Sequence, residues 1–305
     1  MALKKEGDIA PNPADTSVVV VADTGNNALR LVALGRQGGP LVEGICTKSF
    51  AASASWLHPK GICPLPSGLL VCDSGHHRIR SVSYDGERVV AFAGSGKRGH
   101  RDGPVQVAQF DTPCSICVCP SDKSIIVADS GNNAVRRIAN GMVTTLAGGS
   151  GPDRAGGFVD GESEGAKFRR PTFVMFDKEE TLLVIDSGNH CLRVMSPDWK
   201  EVRTLAGGPK AGGTDGAVDT CELNHPEASC LLEDGSILIA DRENNKIRRL
   251  DGDLRSLSSW AGNGCWGATD GLIEESTFNK PCGVCCLEDG TIVISDSGNN
   301  CIRLV

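Results

Sequence analysis

An eight-residue pattern constrains this chain more than any other feature. Its plainest copy is Asp129-Ser130-Gly131-Asn132-Asn133-Ala134-Val135-Arg136, and variants begin at Asp23, Asp73, Asp129, Asp186, Asp241 and Asp296, 50 to 57 residues apart. Each copy follows an apolar, β-branched run such as Ile125 to Val127, and each carries an Arg seven residues after its Asp. A period of this length marks a supersecondary unit that cannot bury its apolar surface alone and stacks against its neighbours instead.

The chemistry within the octet is that of a β-hairpin. Asn and Asp bond back to their own backbone, and Gly supplies positive φ, so Ser-Gly-Asn-Asn reads as the turn. With residues 130–133 as the loop, Asp129 pairs with Ala134, and Arg136 falls on the same face as Asp129, one diagonal step away. The pairs Asp23–Arg30, Asp73–Arg80, Asp129–Arg136, Asp186–Arg193, Asp241–Arg248 and Asp296–Arg303 are therefore expected to staple six hairpins. A ring of ligand contacts is the competing reading. A site is needed once and a staple once per unit, which favours the staple. The fifth copy reads Asp241-Arg242-Glu243-Asn244 and lacks the Gly, so a strained or differently shaped turn is expected there.

Asp-[Ser/Thr]-Gly-Asn-[Asn/His]-x-[Ile/Leu/Val]-Arg after a strand resembles the NHL repeat, and the likeness runs along nearly the whole chain. The resemblance implies an all-β, six-bladed β-propeller, in agreement with the six hairpins. Four antiparallel strands per blade also follow from the residues. Pro59, Pro113, Pro171, Pro226 and Pro281 each open a strand, where the missing N–H costs no ladder bond, and a fourth run such as Met142 to Ala147 follows each hairpin. Gly7-Asp8-Ile9 can be laid on Gly61-Ile62-Cys63 as blade one's innermost strand. One propeller domain over 1–305 is expected, with blades near 7–45, 59–94, 113–149, 171–208, 226–262 and 281–305. The last blade stops after its third strand, so either the N-terminal segment closes the ring or the chain is part of a longer one.

Gly-rich loops link the blades and carry a second motif: Asp102-Gly103, Asp160-Gly161, Asp215-Gly216 and Asp270-Gly271, each followed by Phe110, Phe168, Leu223 or Phe278 three residues before the Pro. The Asp is expected to cap a short helical turn and the Phe to plug between blades, with Trp56 in the corresponding place before Pro59. No Gly-Lys-Ser/Thr occurs and no loop joins a parallel strand to a helix, which argues against a nucleotide cradle.

Net charge is −7 with a pI near 5.4, which speaks against DNA as a partner. The start of the sequence has no apolar core behind its charges, and no apolar run is long enough to span a membrane. A reducing, cytoplasmic setting with free thiols is expected for the 14 cysteines. Cys63, Cys117, Cys230 and Cys285 share one repeat position and read as a small apolar slot. Cys114-x-x-Cys117-x-Cys119 and Cys282-x-x-Cys285-Cys286 have the look of a metal motif, but alternation along a strand sends their side chains to opposite faces; no metal and no other cofactor is expected.

The hairpin turns and the Asp-Gly loops are expected on one face of the disc, where variable loops on a rigid frame carry function. That face has a local basic sector: Lys97, Arg98, His100 and Arg101 in one loop, and Arg154, Lys167, Arg169 and Arg170 in the next, with Trp266 in a later loop. The residues just before each Pro, namely His58, Thr112, Arg170, His225 and Lys280, are expected around the mouth of the central channel. The leading expectation is a non-enzymatic scaffold that binds a protein or peptide. The alternatives are an RNA-binding propeller using the basic sector, and a metal-dependent lyase or lactonase, because the resemblance reaches propeller enzymes that hold a metal with histidines.

Overall fold

The computed structural model describes Leu3 and residues 6–12, 18–34, 47–149 and 155–305. Arg154, one of the expected basic residues, lies outside them. Strands form six antiparallel sheets, one per octet. The first contains β1 (Glu6–Pro11), β2 (Val18–Asp23), β3 (Ala28–Ala33) and β4 (Thr47–Phe50); the second contains β5 (Pro59–Leu65), β6 (Gly68–Asp73), β7 (Arg78–Val82) and β8 (Val89–Ala93). In the next three sheets the preceding linker adds a two-residue outer strand. These are β9 (Gly103–Pro104) with β10 (Pro113–Val118), β11 (Ile125–Asp129), β12 (Ala134–Ala139) and β13 (Met142–Gly148); β14 (Gly161–Glu162) with β15 (Pro171–Phe176), β16 (Leu182–Asp186), β17 (Cys191–Met195) and β18 (Glu201–Gly207); and β19 (Gly216–Ala217) with β20 (Pro226–Leu231), β21 (Ile237–Asp241), β22 (Lys246–Leu250) and β23 (Ser256–Ala261). The sixth has three strands, β24 (Pro281–Cys286), β25 (Ile292–Asp296) and β26 (Cys301–Leu304).

The arrangement is a six-bladed propeller. Because each sheet is covered on both faces, its second strand is a continuous apolar run rather than an alternating one. In β11, Ile125 and Val127 pack toward blade two, while Ile126 and Ala128 pack toward blade four. One apolar core fills each gap between neighbouring blades. The ring closes the same way: Leu3, Ile9, Val19 and Val21 meet Cys285, Val293 and Ile302 across the interface of blades six and one. Phe110, Phe168, Leu223, Phe278 and Trp56 are buried in five of these gaps, as plugs.

Three local expectations need correcting. Blade one's fourth strand runs from Thr47 to Phe50, beyond the boundary read from the sequence at 45. Its first strand is shifted by one residue: Glu6 pairs with Asp23 as Pro59 pairs with Asp73, and Ile9 with Val21 as Ile62 with Val71, so Gly7 is the counterpart of Lys60 rather than of Gly61. The Asp of each Asp-Gly pair is not a helix cap. Asp102 accepts from Arg136 Nη2 at 2.6 Å and from the Thr145 N–H at 3.0 Å, and Asp160 does the same with Arg193 and Thr204. The helical turn begins two residues later, where the Ala108 N–H reaches Pro104 O.

Candidate functional site

The octet builds the face on which a site can stand. Register and pairing are as expected, with Asp129 opposite Ala134 and Val127 opposite Arg136. All six Asp side chains are fully buried, and their Arg partners lie between 2.6 and 3.4 Å away. Each Asp does more than pair. One carboxylate oxygen of Asp129 accepts the Asp111 N–H at 2.7 Å from the incoming linker, and the other accepts Asn132 Nδ2 at 2.7 Å and Arg136 Nη1 at 2.6 Å. Turn, linker and returning strand are thus tied to one carboxylate. Burial pushes the Asp129 and Asp186 carboxyls up to about 6, against the pull of the Arg and N–H partners. The guanidinium of Arg136 lies 5.2 Å from the Phe110 ring centre and that of Arg303 5.1 Å from Phe278, within cation–π range.

The octet glycines do not supply positive φ, contrary to expectation. The left-handed residue is the fifth one, Asn133 at φ 52° or Asn245 at φ 53°. Gly131 is needed for close approach: a Cβ there would stand 2.7 Å from Asp111 O, which accepts the Gly131 N–H at 2.8 Å. In blade five Glu243 makes the equivalent bond to Asn224 O at 3.1 Å, and the turn keeps the shape of the others, so the expected distortion is absent.

The left-handed fifth residue has a second use. Its side chain accepts the N–H of the residue before the next blade's Pro: Asn27 from His58, His77 from Thr112, Asn133 from Arg170, His190 from His225, and Asn245 from Lys280. Those five pre-Pro residues are themselves left-handed, with φ between 47° and 55°. Only Arg170 and Lys280 of the five line the central cavity. His58 is exposed and does not line it, and His225 packs edge-on to His190 at 4.3 Å. The two histidines expected at the channel mouth are therefore not brought together there.

The axis is lined instead by the residue after each Pro, a position that sequence reasoning passed over. Lys60, Cys114, Thr172, Glu227 and Cys282 occupy it, with Gly7 as their counterpart in blade one. Asp8, Arg242 and Ser297 join Arg170 and Lys280 around a cavity of about 490 Å³. Their side chains differ from blade to blade, and the register shifts just after each Pro, so no repeat pattern marked them. Neighbours on the axis touch: Lys60 Nζ is 3.5 Å from Cys114 Sγ, and Thr172 Oγ1 donates to Glu227 O at 3.0 Å. The half-buried Asp8 carboxylate accepts the Ile9 and Ile62 N–H groups, and desolvation pushes it up to about 7. Among the described residues, no group of three or more His, Cys, Asp and Glu is placed to hold a metal ion. Burial pushes the Cys63 and Cys230 thiols up to about 12, as an apolar slot requires.

The basic sector divides. Arg98 donates to Asp111 at 2.8 Å while staying largely exposed, His100 Nε2 lies 3.2 Å from Thr145 Oγ1, and Arg101 sits in a bridge opposite Gln109. Lys97 and Arg169 are exposed on the octet face, whereas Arg170 turns to the cavity. The linkers also leave that face. They start and end there, but their middle runs down the outer edge of the next blade as β9, β14 and β19. Apolar side chains stand out along this route: Trp266 is 79% exposed and Leu272 65%, with Phe158, Val159 and Val107 also exposed.

No protein-family model matches the chain. Human NHL repeat-containing protein 2 is 28% identical over 79% of this chain and 38% of its own length. The Arabidopsis thaliana protein SUPPRESSOR OF QUENCHING 1, chloroplastic, is 26% identical over 86% of this chain and 26% of its own length. The chain is an NHL-type β-propeller. It spans only about a quarter to two-fifths of the length of these two relatives. A solved gluconolactonase from Xanthomonas campestris shares the fold, with a TM-score of 0.64 at 14% identity over 99% of this chain and 87% of that one. No helix among the described residues of the NHL-type propeller is long and apolar enough to cross a membrane. The cytoplasmic expectation gains no support from these relatives, since the plant one is chloroplastic.

Proposed function

We propose that this NHL-type propeller is a non-enzymatic interaction module that holds a protein or peptide partner against the linker between blades five and six. The observation that carries the reading is Trp266. A tryptophan 79% exposed, in one linker with Leu272 at 65% and Ile273 at 37%, is an apolar surface on a frame that buries all five of its inter-blade plugs. Exposed apolar patches of this kind mark contact surfaces, and Trp is enriched among the residues that dominate binding energy. Trp266 stands next to Gly267, whose N–H is bonded to Phe278 O, so its position is fixed by the plug below. Affinity capture with the intact chain and with Trp266→Ala plus Leu272→Ser tests this. A partner retained by the first and lost by the second is expected, with unchanged circular dichroism. Equal retention contradicts it.

The RNA reading rests on Lys97, Arg98, Arg169 and Arg170. Replacing all four with Ala should weaken RNA binding and flatten its salt dependence; no RNA binding at low salt removes the idea. The lyase or lactonase reading has the shared fold behind it, and one fold hosts many activities. Metal analysis of the purified chain decides it.

A further inference from the structure

The axial cavity holds more positive charge than its carboxylates neutralise. Four cationic side chains line it, Lys60, Arg170, Arg242 and Lys280, against two carboxylates, Asp8 and Glu227. Arg242 and Lys280 both turn to one further carboxylate, Glu243, with Lys280 Nζ 3.3 Å away. Among the described residues, no carboxylate lies within ion-pair distance of Lys60 or Arg170; the polar neighbour of Lys60 Nζ is the Cys114 sulfur at 3.5 Å. Cys114 and Glu227 keep Lys60 above the ordinary lysine range although it is largely enclosed, so the ammonium is charged. Asp8 is committed to two backbone N–H groups and is a weak counter-charge at neutral pH. Unneutralised like charges facing one half-enclosed space repel, and an anion between them relieves this. The cavity, about 490 Å³, is the size of a small-molecule site and too small for a folded segment.

We propose that this cavity binds a small polyvalent oxyanion, a phosphoryl or dicarboxylate compound, between Lys60 at its inner end and Arg170 at its mouth. The planar guanidinium of Arg170 suits bidentate contact with an oxyanion, and Lys60 supplies a point charge behind it. Both residues are exceptions to their repeat positions. The counterparts of Lys60 are Cys, Thr, Glu and Gly, and those of Arg170 are His, Thr and Lys. The staples need neither.

Isothermal titration calorimetry of the intact chain tests the proposal, with inorganic phosphate and malonate as separate titrants and chloride as the monovalent control. Saturable one-to-one binding of phosphate, malonate or both is expected, with a dissociation constant of about 1 mM or tighter and no saturable response to chloride. Phosphate alone would assign a phosphoryl ligand, and both would assign a dianion selected by charge. Lys60→Met should weaken binding about tenfold and Arg170→Gln about fivefold, as for the loss of one charged hydrogen-bond donor. Lys200→Ala, in an exposed turn of blade four, should leave it unchanged. Arg170 is exposed at the mouth, so its variant stays informative if Lys60→Met does not fold. No saturable binding of either dianion overturns the proposal, as does binding unchanged in both cavity variants. Free anions need no partner protein, so such a failure leaves the Trp266 reading standing.

Discussion

At the scale of single residues, the octet Asp and the half-buried Asp8 show how much one carboxylate can organise. Asp129 serves three donors from three segments at distances of 2.6 to 2.7 Å. Its role was legible because the Asp-to-Arg offset repeats six times. Asp8 was not legible: it occurs once, in a strand whose register the sequence put one residue out. Its titration gives a direct check. Folded, Asp8 titrates near 7, above the ordinary 3.8. The folded state therefore holds a proton between those values that the unfolded chain has released. Its contribution to stability is full below the lower value and is lost as pH rises toward 7, at no more than about 1.4 kcal/mol per pH unit. Asp129 and Asp186, pushed up to about 6, act in the same sense. Urea unfolding of wild type and Asp8→Asn at pH 5 and pH 8 should show the wild type losing stability relative to the variant as pH rises. A pH-independent difference would place Asp8 near its ordinary value.

At the scale of the element, the turn explains why one expectation failed. Positive φ had been assigned to the octet Gly, yet the chain places it at the Asn or His that follows, residues that tolerate the left-handed region by hydrogen bonding locally. Gly131 is small because the Asp111 backbone runs against it. A contact of that kind comes from the neighbouring linker, which a single hairpin's sequence does not display. Gly131→Ala should therefore destabilise the chain by about 1–3 kcal/mol through overpacking, measured by urea unfolding. Glu243→Gly, at the position that already tolerates a side chain, should change stability by no more than about 1 kcal/mol, the cost of added backbone freedom. A Gly131→Ala protein as stable as wild type would mean that the Asp111 backbone yields to a Cβ there and that close approach is not why the glycine is present. The linkers were misplaced for a related reason: Asp-Gly looked like a helix start, but its Asp is taken by the Arg of the next blade's staple, which pulls the linker over the outer edge.

At the scale of the whole molecule, the fold was readable because it is written six times, and the site was not because it is written in departures from the repeat. The count of blades, the strand starts at Pro and the plugging Phe all follow from positions that recur. The axial set of Lys60, Cys114, Thr172, Glu227 and Cys282 has no common chemistry, so nothing in the sequence pattern announces that the five share a cavity. Ring closure was equally hidden, because it rests on ordinary apolar packing between blades six and one rather than on a motif. The chain divides into repeated residues that hold the disc and exceptional residues that we propose meet ligands. Urea unfolding of Arg136→Met against Trp266→Ala tests that division most directly. The first leaves a buried carboxylate without its partner and should cost about 3–5 kcal/mol. The second removes an exposed side chain and should stay within about 0.5 kcal/mol of wild type. A Trp266→Ala protein destabilised as much as Arg136→Met would contradict the account.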